Sequence, residues 1–182
     1  MTEPATTILP RPQSRGFRVG GRSDLNRRSV KECSRKPILL KQLSQILWAA
    51  QGITDKEGGR RAAPSPLRAI LAWRHACQVR RPDLVFADCV RKPGAGRPGG
   101  RAAAIIAVTS VFARAVVKYG ERGVQYSLQE SGCVAENIHI QTAALGLGTV
   151  MVGAFDELEV GRLIGVGKDE KPLLLMPIGA LS

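Results

Sequence analysis

No stretch of about 18 uncharged apolar residues occurs anywhere in the chain, so no membrane-spanning helix is expected. The first residues also lack the charged-then-apolar pattern of a secretory leader, and a cytoplasmic protein is the expectation. Histidine is scarce: there are only His75 and His139. Cys33, Cys77, Cys89 and Cys133 are scattered without a CxxC pair, whereas zinc sites need closer ligand pairs. The thiols therefore read as reduced, and no metal site is expected. His75 and Cys77 are neighbours along the chain, but a catalytic thiol–imidazole pair needs spatial reach that sequence proximity does not supply. Acidic residues are few, 15 against 27 Lys and Arg, for a net charge of +12. That excess is uneven. From Arg60 to Arg101 there are ten basic and two acidic residues, a net of +8, which leaves +4 for everything else. Such a segment could attract nucleic acid on charge alone, but it offers only Trp73 and Phe86 for base stacking and has no recognisable binding fold. Nucleic acid is not an expected partner.

What is present points to one core. With 182 residues and 44% apolar content, a single domain over residues 25–182 is expected. Residues 1–24 are polar and broken by Pro4, Pro10, Pro12, Gly16, Gly20 and Gly21, which reads as a flexible arm unless it lies on the domain or a partner subunit. Arg27, Arg28, Ser29 and Lys31 follow as a cation cluster around one hydroxyl. Most such clusters are solvated faces; the alternative is an anion clamp, with guanidinium groups making bidentate contacts to phosphate.

After Pro37, apolar residues from Ile38 to Ala50 recur at three and four positions and stop at Gly52, predicting a helix with Trp48 beside its buried stripe. Residues 66–101 are rich in Arg, Pro and Gly, and no secondary structure is assigned to them. Ala103 to Thr109 reads as a buried strand, Val111 to Tyr119 as a helix broken at Gly120, and Pro172 to Ile178 as an inner strand covered on both faces. The most strongly specified local order runs from Tyr119 to Asp156. Val134, Ile138 and Leu145, with alanines between them, predict a helix with little surface facing water. Gly146 and Gly148 supply positions tolerant of positive φ, Thr149 to Phe155 predicts a buried strand, and Asp156 with Glu159 predicts a helix start.

Three separated pieces carry a resemblance: RRSVK at 27–31 after Leu9-Pro10; LSQILWAAQGIT at 43–54 leading to APS at 63–65; and KYGERG, ESG and ALGLGTVMVGAFDE between 118 and 157, ending in PLLLMPIG. In this order they are similar to the FMN-dependent nitroreductase-like flavoproteins, and within them to the azoline dehydrogenase branch that forms thiazoles and oxazoles in peptides. The resemblance implies an α+β fold with a mostly antiparallel central sheet flanked by helices, in an intertwined homodimer with FMN at the subunit interface. It places Arg27, Arg28, Ser29 and Lys31 against the phosphate, ribityl chain and pyrimidine edge of the flavin, and Gly153 and Ala154 beside the isoalloxazine ring. Ser65 would line the flavin too.

Lys118 and Tyr119 match a pair implicated in azoline oxidation, where one would act as base if burial or charge lowered its pKa. The alternative is an exposed lysine and a tyrosine packed at a helix end. The implied activity is an FMN-dependent oxidoreductase moving hydride equivalents between a donor, NAD(P)H or a peptide azoline, and an acceptor, so the partner is a small molecule or a modified peptide. Residues 66–101 depart from the family pattern, with the texture of an out-of-frame reading of a GC-rich gene, and the chain ends without the basic residue that family members often place after the glycine of PIG. These departures motivate the second reading, a non-catalytic remnant that keeps the scaffold and has lost flavin.

Overall fold

The computed structural model describes residues 10–11, 25–34, 36–55, 57–64, 76–77 (backbone) and 102–182. Ser65, most of the N-terminal arm and nearly all of the basic segment at 66–101 lie outside the described residues. Helix α1 is Leu40–Gln51, and strand β1 is the two-residue Ala76–Cys77. Strand β2 is Ala104–Ser110, followed by α2, Phe112–Tyr119, and α3, Arg122–Ala144. Strand β3 is Leu147–Thr149, α4 is Glu157–Ile164, and β4 is Lys171–Ala180. The strands form one sheet in the order β1-β2-β4-β3, with every pair antiparallel. This is the α+β architecture expected, and none of the described helices is long and apolar enough to cross a membrane.

The sheet is buried on both faces because its central strands are apolar at consecutive positions, not alternate ones. Ala104, Ile106 and Val108 of β2 join Met176 and Ile178 of β4 in a cluster with Leu43, Ile46, Leu47 and Ala50 of α1 and Val134, Ala135 and Ile138 of α3. Ile105 and Ala107 point the other way, into a cluster with Leu175, Val150, Val152 and Val160 of α4. Two layers of helix thus enclose the sheet. Pro177 sits inside central β4, where a proline would ordinarily remove a ladder bond. It lies between the Thr149–Ile178 pair and the isolated Val152–Leu175 bridge. There the neighbouring chain has left the ladder, and the missing N–H forfeits no partner.

Most predicted elements fall where expected. α1 closes at Gly52, α2 at Gly120 with φ +57°, and Asp156 Oδ1 accepts the Glu159 N–H at 2.8 Å to open α4. Three expectations are corrected. The strand predicted over Thr149–Phe155 is instead Leu147–Thr149, and beyond it only Val152 bridges to β4. Gly146 has positive φ, but Gly148 does not; Gly148 lies within β3, where a Cβ would meet Val30 Cγ1 at 2.7 Å. Nor is α3 enclosed on all sides, since Val124, Leu128, Cys133 and Glu136 are exposed. Its corner with α2 is close, with Gly123 set against the Ala115 carbonyl group. The arm touches the domain at one described point, where Ser44 Oγ of α1 donates to the Pro10 carbonyl.

Candidate functional site

The cation segment is stitched to the edge of the sheet by its backbone. The Val30 N–H donates to the Thr149 carbonyl at 2.8 Å, Ser29 bridges Thr149 in parallel, and the Ser34 N–H donates to the Ala180 carbonyl at 2.9 Å. Two paired glycines admit it. Gly148 and Gly179 are register partners; Val30 packs over the first and Cys33 over the second, where a Cβ on Gly179 would lie 2.5 Å from Cys33 Cβ. Arg27, Arg28, Ser29 and Lys31 are thereby held beside the end of β3, immediately before the 150–154 segment. Two pieces separated by about 120 residues of chain meet along one edge.

The side chains divide the work unequally. Arg28 is exposed, and its Nη1 donates to the carbonyls of Leu25 at 2.9 Å and Arg27 at 2.8 Å, so it braces the local turn. Ser29 and Lys31 are exposed. Arg27, half-buried, lies 3.6 Å from Glu136 Oε1 on α3. Gly153 is exposed, and among the described residues a Cβ there would meet only Leu174 Cδ2, at 4.0 Å; its φ is not positive either. Packing among the described residues does not require a glycine at 153, in contrast to Gly148 and Gly179. Smallness that serves no internal contact leaves room for an external planar group. Ala154 beside it is exposed as well.

Lys118 and Tyr119 stand at the end of α2, both exposed. The Tyr119 ring meets Tyr126 edge-on with centroids 5.2 Å apart, and Lys118 Nζ lies 5.1 Å from the Tyr119 centroid. The tyrosine is oriented by its neighbour.

Several polar residues escaped the sequence reading. Glu130, in the ESG motif, is buried in the α1–α3 interface and accepts from Gln51 Nε2, while Arg61 Nη1 donates to the Gln51 carbonyl at 2.7 Å. This network ties the end of α1 to the loop leading toward residue 64. His139 is 7% exposed, with Nδ1 3.7 Å from Glu136 Oε2. The signal available was the Glu136-x-x-His139 spacing, which puts both on one helical face. Burial pushes the His139 imidazole below its usual range, the Glu136 carboxylate opposes that, and Arg27 adds to it. An imidazole with a lowered pKa favours the folded state while neutral. Its contribution is fully present above the unfolded value of about 6.5 and is lost as pH falls toward the folded value. The thermal midpoint should therefore decline between about pH 7 and pH 5, and His139→Leu should flatten that decline; equal slopes would show that another group is responsible. The free thiol of Cys33 is buried, which pushes its pKa up and keeps it protonated; Cys133 is a free, exposed thiol.

The family model described as "Nitroreductase family" matches residues 75–180. A protein of Methanocaldococcus jannaschii, provisionally named a nitroreductase, is 33% identical over 176 residues, covering 85% of this chain and 87% of its own length. Among solved structures, a provisionally named nitroreductase of Ralstonia eutropha aligns with a TM-score of 0.69 at 23% identity, covering 96% of this chain and 88% of its own. A Bacteroides thetaiotaomicron protein, provisionally named an NADH dehydrogenase/NAD(P)H nitroreductase, aligns with a TM-score of 0.65 at 19% identity, covering 92% of this chain and 89% of its own. At these identities the structural likenesses speak for the fold.

Proposed function

Because the chain belongs to the nitroreductase family, we propose that it is an FMN-dependent oxidoreductase that moves two electrons from a reduced nicotinamide to a small organic acceptor. The observation that carries this reading is the meeting of the 27–31 cations with the end of β3 beside the unfilled space at Gly153. Bound FMN supplies hydride chemistry at its ring, which the protein tunes through charge and orientation. In this reading Arg27 and Lys31 hold the phosphate end, Ser29 offers a hydroxyl to the ribityl chain, and Arg28 keeps the turn in shape. Gly153 and Ala154 let the ring approach the backbone. Ser65 is a further candidate for lining the flavin, carried by the resemblance. The cations also favour the additional negative charge that arrives with electrons.

NAD(P)H as donor is supported by family membership and by the name of the Bacteroides relative. The substrate class proposed from Lys118 and Tyr119 is broader: a nitroaromatic or a quinone as acceptor, or a peptide azoline as an alternative hydride donor, with either side chain available to exchange a proton with the substrate. A homodimer is part of the proposal. Val117 at 88% exposure, with Val124 and Leu128 on the same helical corner, supports a second copy covering that surface.

Purified protein should be yellow, and its flavin absorbance should bleach when NADH or NADPH is added without oxygen. A colourless preparation that also ignores added FMN would favour the scaffold remnant instead.

A further inference from the structure

Glu136 stands between two partners. Its Oε1 lies 3.6 Å from Arg27 Nε and its Oε2 lies 3.7 Å from His139 Nδ1. Both separations exceed hydrogen-bond length, and the Glu136 side chain is 53% exposed, so a small rotation decides which contact tightens. His139 is buried, and its Nε2 has no hydrogen-bond partner among the described residues. A neutral imidazole can leave that atom as an unprotonated acceptor; a cation must find its counter-charge at Nδ1, where Glu136 waits. Among the described residues no other charge competes closely. α1 contributes only exposed Lys41, β2 and β3 carry no titratable side chain, and β4 has only exposed Lys171. Arg114, Lys118 and Tyr119 of α2 are all exposed, as are Lys31 and Glu32 next to Arg27.

We propose that Glu136 and His139 form a proton-dependent latch on Arg27: with His139 neutral, the carboxylate holds the guanidinium against α3, and with His139 protonated it turns to the imidazole and leaves Arg27 to an anion. The proposal rests on Arg27 being an anion anchor, as in the function given above. Anion binding and protonation of His139 then favour one another, and by reciprocity the bound anion must raise the pH at which His139 titrates.

With only two histidines in the chain, the imidazole resonances are separable by NMR, and His139→Asn identifies the right one. In the full-length protein, adding FMN should move the His139 titration to higher pH, and Glu136→Gln should abolish that movement. The same variant should bind FMN roughly threefold more tightly at pH 8, the scale of one half-exposed ion pair. Referring wild-type affinities to those of His139→Asn at each pH removes the titration of the phosphate itself, and what remains should tighten as pH falls from 8 to 5.5. A His139 titration that neither FMN nor Glu136→Gln shifts overturns the latch, and Glu136→Gln alters an exposed carboxylate, so folding does not obscure that result. If Arg27→Ala binds FMN as tightly as wild type, the anchoring role of Arg27 fails first and takes the latch with it.

Discussion

Gly179→Val is expected to lower the unfolding free energy by about 3 kcal/mol, the upper part of the range for overpacking a close contact. The added Cβ would sit 2.5 Å from Cys33 Cβ and 2.8 Å from its Sγ, so one of the two chains must move. The sheet cannot yield easily, because Gly179 belongs to β4 with β2 on one side and β3 on the other. The 29–34 segment, held by single bonds to the carbonyls of Thr149 and Ala180, is the part that yields. Stability and the position of the cation cluster are thus coupled, and the variant should lose ligand affinity along with stability. Cys33→Gly removes both clashing atoms, and the double variant should recover about 1 kcal/mol relative to additivity. Strictly additive losses in urea unfolding would show that Cys33 and Gly179 do not share this contact. Gly153→Ala serves as the contrast: with only Leu174 Cδ2 near it among the described residues, at 4.0 Å, it should leave stability within about 0.5 kcal/mol.

The elements with local signatures were legible. Asp156 caps α4 because its carboxylate reaches the N–H three residues on, which follows from spacing alone. β4 was legible from its unbroken apolar run, and α2 from the run closed by Gly120. The strand predicted over Thr149–Phe155 failed for a non-local reason. β-branched residues at 149, 150 and 152 favour extended backbone, but β4 offers ladder pairing to β3 only at 178–180 and then through a single bridge at Leu175. Extended chain without a continuous partner is not a strand. β1 was illegible in turn because two residues within a Pro- and Arg-rich stretch carry no pattern, and only the pairing to Ile105 and Ile106 defines them.

The site divided along the same line. That Arg27 to Lys31 would lie beside residues 149–154 is not contained in either segment; it came from resemblance, and the physical reason appears only in the register that puts Gly148 opposite Gly179. Glu130 and His139 were passed over because each interrupts an apolar helical face, where a polar residue reads as an imperfection of the stripe. Gln51, the partner of Glu130, is 79 positions away in the chain, and the Glu136 beside His139 pairs in turn with the distant Arg27, so much of their meaning is tertiary.

Arg27→Ala is expected to weaken FMN by about 10- to 100-fold, the worth of one charge-assisted hydrogen bond of about 1.5–3 kcal/mol. It should leave riboflavin, which has no phosphate, within about twofold, because the variant removes a contact made only by the anion. The ratio of the two affinities isolates the anchor from any general damage to the fold. Arg28→Ala should behave differently. Its guanidinium holds the carbonyls of Leu25 and Arg27, so its removal loosens the turn and should weaken both ligands by similar factors. Lys31→Ala, an exposed point charge, should resemble Arg27→Ala with a smaller and more salt-dependent loss. Fluorescence quenching titrations of FMN and riboflavin at two ionic strengths give all three ratios. If Arg27→Ala and Lys31→Ala weaken riboflavin as much as FMN, the cations do not see the phosphate, and the orientation proposed for the flavin along the β3 edge must be reversed or abandoned.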